Sequence, residues 1–532
     1  MSKHKKEGIN FKNIACIILT YLPLLLSVIG IFLLFNSPYL GTKINLMISG
    51  VILLLSVIVI LCFILGKKKA IRNLTIFAIV LSILSSSAIA YADYLYFRLH
   101  YELGKISSTQ EYVYSYIYTL KDSAITTPEE LTGKKLGLQS STSSTCYSTV
   151  IEGLDKKGIA ESSYTIETYS NFVTAAGDLM NKKVDAIAVD EQGLSMIGEV
   201  YPEFAKTTVQ IASYKHALDN SNSSTSVNMS TEPFTVLING VDSRDGDLSS
   251  GSNADVIMLA TFNPKTLKLS MISIPRDTYI PVTCRGNIND KITHSGSGGV
   301  TCTIDSLEET LGITINYYVK VNFNAVVNLV DAIGGIDVTV PLTFCEQDSK
   351  DTPDALCINE GYQHLNGEQA LALSRHRKTL PNGDIGRGVN QQIVIEGMIN
   401  KLASGQILTS LDSLLSVLGN NVQTNMKQSD MYGLFSLLTS LGSKSTFSNT
   451  SALSISSSTI AGYDSMIYTD WAGAEIYYYI PYKESLKAAA TEIRRIMGLE
   501  DYPLPSSNFS FNANEPYDQY NFDTTNGLED AQ

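Results

Sequence analysis

Arg276, Arg375, Arg377 and Arg387 stand near the ends of apolar segments, with Asp242, Asp255, Asp384 and Gln391 in the same stretch, Phe234 to Gln392. Arginines gathered with a few carboxylates suit a multiply charged phosphate and a metal ion. Planar guanidinium forks match phosphate oxygens, and carboxylates hold hard cations. Arg276 and Asp277 end the alternating apolar segment SMISIPRDTY, Ser270–Tyr279. If Ser374–Arg377 is extended, Arg375 and Arg377 share one face. Two guanidinium groups on one face repel unless an anion joins them. Asp384, Arg387 and Gln391 fall at i, i+3 and i+7, one face of a helix starting near Asp384. Gly386 and Gly388 weaken that helix start but allow close backbone approach to a ligand. Asp242 and Asp245 taken alone shape a turn; Asp242 beside Asp255 and Arg276 reads as part of the site. Lys291, in Lys291–His294 (KITH), either steadies a phosphate or is solvated ahead of a helix. His294 reads as a structural hydrogen-bonding group rather than a base.

The elements that must carry these residues alternate. Apolar strands are expected at Phe234–Val241, Asp255–Thr261 and Lys268–Ile274, each with charged residues near its end. Such a sheet carries its site on the rim, the usual place for ligands in α/β folds. Downstream, helix is expected over Ser306–Leu311, strand over Tyr317–Asn322, helix over Asn324–Ile333 ending at Gly334–Gly335, and strand over Ile336–Val340. Phe323, Val326, Val327 and Leu329 read as core packing, with a groove for a greasy ligand as the alternative. A helix carrying Glu368 to Leu373 and the one from Asp384 through Leu402 follow. Further helices are expected over Leu408–Leu418 and, capped by Thr424, over Ser429–Leu441. A strand at Tyr477–Ile480 and a helix over Ser485–Met497 close the domain.

The chain of 532 residues has room for more than one domain. A net charge of −13 argues against a general nucleic-acid binder, which carries a basic surface. Three apolar runs, Ile14–Phe35, Ile44–Leu65 and Asn73–Ala92, are each long enough to cross a bilayer at about 20 residues. Lys3, Lys5, Lys6 and Lys12 precede the first, and Lys67–Lys69 with Arg72 lie between the second and third. The positive-inside rule therefore puts the N-terminus in the cytoplasm and everything after about residue 95 outside. The expected division is three transmembrane helices over 1–95, a small α/β accessory domain over 96–218, a flexible linker over 219–232, a catalytic domain over 233–499 and a disordered acidic tail over 500–532.

The accessory segment alternates strand (Lys135–Gln139), helix through Leu154, helix (Phe172–Met180) and strand (Val184–Val189). Its phrases LTGKKLGLQSSTSS and LMNKKVDAIAVDE resemble one lobe of the extracellular solute-binding proteins. Ser140–Thr145 reads first as a polar turn before an N-capped helix; an anion held at the helix N-terminus is the alternative. Cys284, Cys302, Cys345 and Cys357 lie in two close pairs in the exported portion. Disulfides Cys284–Cys302 and Cys345–Cys357 are the simplest of the three pairings, with a zinc site as the competing reading. Cys146 is left over as a buried thiol.

The phrases LINGVDSR, SMISIPRDTYIPV, KITH, FNAVVNLVDAIGGIDVTV, HLNGEQALALSRHRK and DIGRGVNQQ resemble the LytR-CpsA-Psr (LCP) family over about residues 234 to 400. Members are membrane-anchored and act outside Gram-positive cells; three spans before an accessory domain are similar to its capsule-associated branch. The resemblance implies an α/β/α sandwich with a central mixed sheet and a deep hydrophobic pocket for a polyprenyl chain. It also implies transfer of a glycan phosphate from a polyprenyl-pyrophosphate-linked polymer, capsular polysaccharide or teichoic acid, to peptidoglycan. Arg276, Arg375, Arg377 and Arg387 match the family's pyrophosphate-binding arginines, Asp242 and Asp255 its Mg²⁺-binding carboxylates, and Asp384 and Gln391 its polar shell. The implied partners are the lipid-linked glycan, peptidoglycan, the membrane and wall-polymer or capsule export proteins. Asn253 and Asn390 stand where the family usually has arginine, which weakens the hold on pyrophosphate. The competing class is a non-catalytic receptor for lipid-linked glycan; a transcription regulator is disfavoured by topology and acidity.

Overall fold

The computed structural model describes residues 11–36, 42–66, 72–106, 110–140, 145–218, 225–241, 248, 253–381, 383–448, 453–469 and 474–499. The expected acidic tail and Asp242 lie outside the described residues. The chain divides into two compact units, Met1–Lys105 with Gln428–Ser440, and Ile106–Lys427 with Leu441–Gln532.

In the first unit, runs of Leu, Ile and Val form α1 (Phe11–Asn36), α2 (Thr42–Gly66) and α3 (Arg72–Ile106). Among the described residues two stretches are long and apolar enough to cross a membrane, Asn45–Leu65 and Ile76–Ile106. The described apolar part of α1, Tyr21–Phe35, is shorter. Between α1 and α2 the hydroxyls of Ser27 and Ser56 share a 2.8 Å hydrogen bond. The segment Gln428–Ser440 joins α3 through a 2.7 Å bond between His100 Nδ1 and the Tyr432 hydroxyl.

The second unit opens with an accessory sheet. Its elements are β1 (Tyr112–Leu120), β2 (Lys135–Gln139), α4 (Thr145–Lys156), β3 (Thr165–Tyr169), α5 (Phe172–Met180), β4 (Ala186–Asp190), α6 (Glu191–Val200), α7 (Phe204–Thr207) and β5 (Thr208–Ala217). The strand order is β3-β2-β4-β1-β5, with β2 parallel to β3 and β4 and β1 antiparallel to β4 and β5. Asn171 and Asp190 cap α5 and α6 by accepting from the N–H groups of Thr174 and Gly193. Within the expected linker, 219–224 lie outside the described residues, while Met229 is buried and Val227 N–H donates to the Tyr317 hydroxyl.

The main sheet follows. Its region contains β6 (Phe234–Val241), β7 (Ala254–Asn263), β8 (Lys268–Ser273), β9 (Tyr279–Val282), β10 (Ile288–Lys291), α8 (Gly299–Leu311), β11 (Tyr317–Asn322), α9 (Phe323–Ala332) and β12 (Ile336–Val340). Then come β13 (Phe344–Glu346), β14 (Leu356–Ile358), β15 (Gly361–Leu365), α10 (Gly367–Arg375), α11 (Gly383–Lys401), α12 (Ile407–Asn421), β16 (Val422–Thr424), α13 (Gln428–Ser448, of which Gln428–Ser440 belongs to the first unit), β17 (Ser454–Thr459), β18 (Gly462–Thr469), β19 (Ala474–Pro481) and α14 (Lys483–Met497). The order is β16-β11-β6-β7-β8-β17, with parallel pairs β6/β11 and β8/β17 and the other neighbours antiparallel: a mixed sheet.

Alternation along the strands gives the sheet two apolar faces. Leu237, Ile257, Leu259 and Ile272 meet Ile304, Leu307, Ala489 and Ile493 of α8 and α14 on one. On the other, α11 lies so close that a Cβ at Gly388 would come 2.8 Å from Ser273 Oγ, and Gln392 donates to the carbonyl of Ser458. Gly386 and Gly388 leave room for Leu380 and Ser273, and Gly388 also lines the cavity beside Arg276 and Arg387. The disulfides Cys284–Cys302 and Cys345–Cys357 are both present.

Two local expectations are corrected. Ser374–Arg377 is not an extended segment: α10 starts at an Asn366–Gln369 capping box, continues through buried Leu371–Leu373 and ends only at Arg375. Thr424 caps no helix; it ends β16 opposite Val319, and its hydroxyl donates to the Tyr318 carbonyl, a cross-strand partner without local signature.

Candidate functional site

The site lies at the ends of β7 and β8, where α11 begins. Pro275–Thr278 turns immediately after β8, the Thr278 N–H donating to the Pro275 carbonyl at 3.0 Å. Thr293 N–H donates to the Arg276 carbonyl and Tyr479 N–H to that of Asp277. The backbone that carries Arg276 is therefore pinned from both sides.

Arg276 forms an ion pair with Asp255 at the start of β7. Its Nε lies 3.6 Å from Asp277 Oδ2 and 3.9 Å from Asp384 Oδ2. That Nε–H is buried and reaches no hydrogen-bond acceptor among the described residues. From α11, Arg387 Nη2 reaches Asp384 Oδ2 at 2.9 Å, the i, i+3 geometry the sequence spacing foretold. Arg377 Nη1 reaches the other oxygen of Asp384 at 3.3 Å. Arg276, Arg377 and Arg387 thus converge on one carboxylate. Between these elements, Asp255, Arg276, Asp384, Arg387 and Gln391 line a cavity of about 10 Å³.

Burial disfavours the charge on Arg276, but Asp255, Asp277 and Asp384 more than offset it and strengthen its hold on the proton. Arg387 goes the other way. Burial, helped by neighbouring Arg276 and Arg377 and opposed by Asp384 and Asp255, weakens its hold on the proton. Of the two guanidinium groups, Arg387 has more to gain from an additional negative charge.

The remaining expected residues are distributed around this centre. Gln391 lines the cavity, and its amide lies 3.4 Å from the Ser374 carbonyl at the end of α10. Arg375 does not join Asp384: its Nη2 lies 3.4 Å from Asp351, and its guanidinium sits 4.9 Å above the Phe323 ring. Phe323, Val326, Val327 and Leu329 of α9 are half-buried rather than sealed in the core. Lys291 is buried, with Nζ 2.7 Å from Glu199 Oε1 and 3.6 Å from Asp277 Oδ1. His294 is buried and bonded to Asp290, the structural role expected of it. Asn390 is buried with its amide nitrogen unpartnered among the described residues. Asp255 uses Oδ1 toward Arg276. Residue 242 follows Val241, which pairs with Ala254, so the chain leaves β6 beside the start of β7.

Sequence reasoning did not select Asp277, Glu199 or Asp351 for this site. Asp277 was legible beside Arg276. Glu199 lies 92 residues before its lysine partner, on a different sheet and helix layer, and no spacing rule connects them.

Comparison with known proteins bears on this geometry. The LytR_cpsA_psr family model matches residues 201–495, and a model described as NMT1/THI5 like matches residues 100–201. The chain is 42% identical over 204 residues to the polyisoprenyl-teichoic acid–peptidoglycan teichoic acid transferase TagU of Bacillus licheniformis, covering 38% of this chain and 63% of that protein. To the TagU of Bacillus subtilis it is 38% identical over 241 residues, 44% of this chain and 75% of that protein. The crystal structure of B. subtilis TagU aligns at 33% identity and a TM-score of 0.38, over 52% of this chain and all of that one.

Proposed function

Because the chain belongs to the LytR-CpsA-Psr family, we propose that it is a polyisoprenyl-glycan phosphotransferase. In this reading it moves a glycan phosphate from a polyprenyl-pyrophosphate-linked wall polymer to peptidoglycan and releases polyprenyl phosphate. The names of its relatives, teichoic acid transferases acting on peptidoglycan, support the reaction class. The polymer is teichoic acid or capsular polysaccharide. The single observation that supports the reading best is the convergence of Arg276, Arg377 and Arg387 on Asp384, with the Arg276 Nε–H buried and without an acceptor among the described residues.

Phosphoryl transfer asks a protein for alignment and charge neutralisation more than covalent chemistry. A diphosphate entering the cluster replaces carboxylates as the partner of the guanidinium groups and supplies an acceptor for the Arg276 Nε–H. Arg387 gains an opposing charge in a buried position. The acceptor hydroxyl oxygen bonds to the glycan-proximal phosphorus, the phosphoanhydride bond to polyprenyl phosphate breaks, and the hydroxyl proton leaves to a nearby base. In this reading the apolar chain would meet the phosphates on the side of Arg375 and Phe323, beside the half-buried face of α9.

Mg²⁺ belongs to the same reading: Asp255, which pairs with Arg276, and Asp242, which lies outside the described residues, would hold it through hard carboxylate oxygens. When bound, Mg²⁺ offsets charge on the diphosphate oxygens. The same reading gives three spans over residues 1–95, the accessory domain over 96–218, the linker over 219–232, the transferase domain over 233–499 outside the membrane and the acidic tail over 500–532. Export proteins for the polymer are its natural neighbours.

The test gives the full-length protein a polyprenyl-pyrophosphate glycan, Mg²⁺ and peptidoglycan fragments. Polyprenyl phosphate should appear together with a linked product, and Arg276→Ala should abolish both with the fold intact. Tight retention of the lipid without turnover would instead identify a receptor.

A further inference from the structure

Beside the arginine cavity lies a second space, about 400 Å³, within the roughly 300–1,000 Å³ range of small-ligand pockets. Asp277, Asp384, Asp464, Tyr463, Tyr477 and Tyr479 line it, and it shares Pro275, Asp384 and Ile385 with the arginine cavity. We propose that this cleft, between the β18–β19 hairpin and the start of α11, is the subsite for the acceptor sugar; the assignment rests on the transferase reading.

Its chemistry differs from that of its neighbour. Among the described residues three carboxylates and no cationic side chain line it, so it repels phosphate and favours groups that donate hydrogen bonds. Tyrosine rings present flat apolar faces with a polar tip, which suits a ring having C–H groups on one side and hydroxyls at its edge. A neutral sugar meets both demands.

Hairpin register carries the cleft outward. Met466 pairs with Tyr477 and Asp464 with Tyr479, so alternation puts Asp464, Met466, Tyr468, Tyr477 and Tyr479 on one face. The Tyr477 hydroxyl donates to Asp464 Oδ1 at 2.8 Å, holding both side chains at the cleft mouth. Burial first, then Asp464, Asp277 and Asp384, keep the proton on that phenol, so it remains a donor. Met466 and Tyr468 are 55% and 62% exposed, an apolar stripe that leads from the cleft into solvent. A polymer of which only one sugar reacts needs such a path for its remaining units.

The order of contacts also separates donor from acceptor. Phe323 and Arg375 lie at one end, Gln391 bonds back to α10, Arg387 and Arg276 meet Asp384, and the tyrosine cleft lies beyond Asp384. An attacking hydroxyl and a leaving lipid phosphate must approach the reacting phosphorus from opposed sides. The acceptor then enters from the tyrosine cleft and the lipid phosphate leaves toward α9.

Full-length protein in lipid nanodiscs is titrated with a soluble peptidoglycan disaccharide whose lactyl carboxyl is amidated, so that the probe is neutral, and, separately, with inorganic pyrophosphate. Tyr477→Ala and Asp464→Asn change exposed hairpin residues outside the arginine network. Each should weaken disaccharide binding and raise the acceptor KM about tenfold or more, leaving pyrophosphate affinity and donor KM within about twofold. Tyr477→Phe, which keeps the ring, should fall between. Unchanged disaccharide affinity in all three variants overturns the subsite, and so does a rise confined to the donor KM, which would assign the cleft to the donor glycan. Selective disaccharide binding that depends on Tyr477, in a protein that transfers nothing, supports the subsite and removes the transferase reading instead.

Discussion

Replacing Asp384 by asparagine removes the carboxylate on which Arg276, Arg377 and Arg387 converge. If the arginines serve an anionic ligand, Asp384 competes with that ligand for the same N–H groups. The Arg387–Asp384 contact is 2.9 Å. A phosphate oxygen on the far side of the guanidinium at a similar distance lies roughly 5 Å from the carboxylate, where two unit charges repel by about 3 kcal/mol at an effective dielectric near 20. Asp384 keeps about a third of its side chain exposed, so solvent takes part of this. A gain of about 1–2 kcal/mol, roughly five- to thirtyfold tighter pyrophosphate binding, is expected of Asp384→Asn. Turnover should fall nonetheless, because Asp384 also sets the angles of Arg377 and Arg387. Calorimetric titration of the full-length protein with inorganic pyrophosphate measures the affinity. The gain should shrink as salt rises from about 0.05 to 0.5 M, because screening shortens the reach of the removed charge. Weaker binding by the variant at both salts refutes the reasoning, since Asp384 would then act as a scaffold for the arginines rather than a competitor.

Glu111 and Lys320, both 1% exposed, meet at 3.0 Å, so Glu111→Gln should cost about 3–5 kcal/mol and lower the Tm in scanning calorimetry. Glu111→Leu combined with Lys320→Met should recover much of that loss; equal Tm values for wild type and Glu111→Gln would contradict the account. Burial pushes the Asp190 carboxyl up to about 6, against the Gly193 N–H and Arg285. A carboxyl raised in the folded state loses stability as pH climbs from its unfolded value near 4 through about 6, then levels off. Asp190→Asn keeps the α6 cap and should be relatively more stable above pH 6, on the order of 1–2 kcal/mol, with no gain near pH 4; parallel pH profiles would count against it. Removing Cys284–Cys302, with a sequence separation of 18, by paired serine substitution should cost about 3 kcal/mol in denaturant unfolding.

Much of the catalytic sheet was legible as alternation. Phe234–Val241, Tyr317–Asn322 and Ile336–Val340 have the expected limits, because buried strands are bounded by residues that cannot continue them. Asp384 and Arg387 were paired correctly because helix periodicity is local. The extended reading of Ser374–Arg377 failed because a capping box begun at Asn366 carries the helix through to Arg375. The start of α8 at Gly299 was missed for a different reason. The Val300 N–H donates to Glu111, 189 residues earlier, and a carboxylate at a helix N-terminus stabilises it from wherever the fold delivers it. The tyrosine cleft depends on the pairing of β18 with β19 and on Asp277 lying beneath them, and only the fold brings those together.

Lys291 links two parts of the molecule that seemed separable. Its ammonium group sits between Asp277, beside the arginine centre, and Glu199 of the accessory lobe, while Ser297 bonds to Gln192 of that lobe. Pulling the lobe away would strand a buried cation and uncap α8 at the same moment. A displacement of α6 therefore reaches Asp277, the residue next to Arg276, through Lys291. An ion pair and a hydroxyl contact thus tie the accessory lobe to the turn that carries Asp277 and to the start of α8, beyond the chain connection between them.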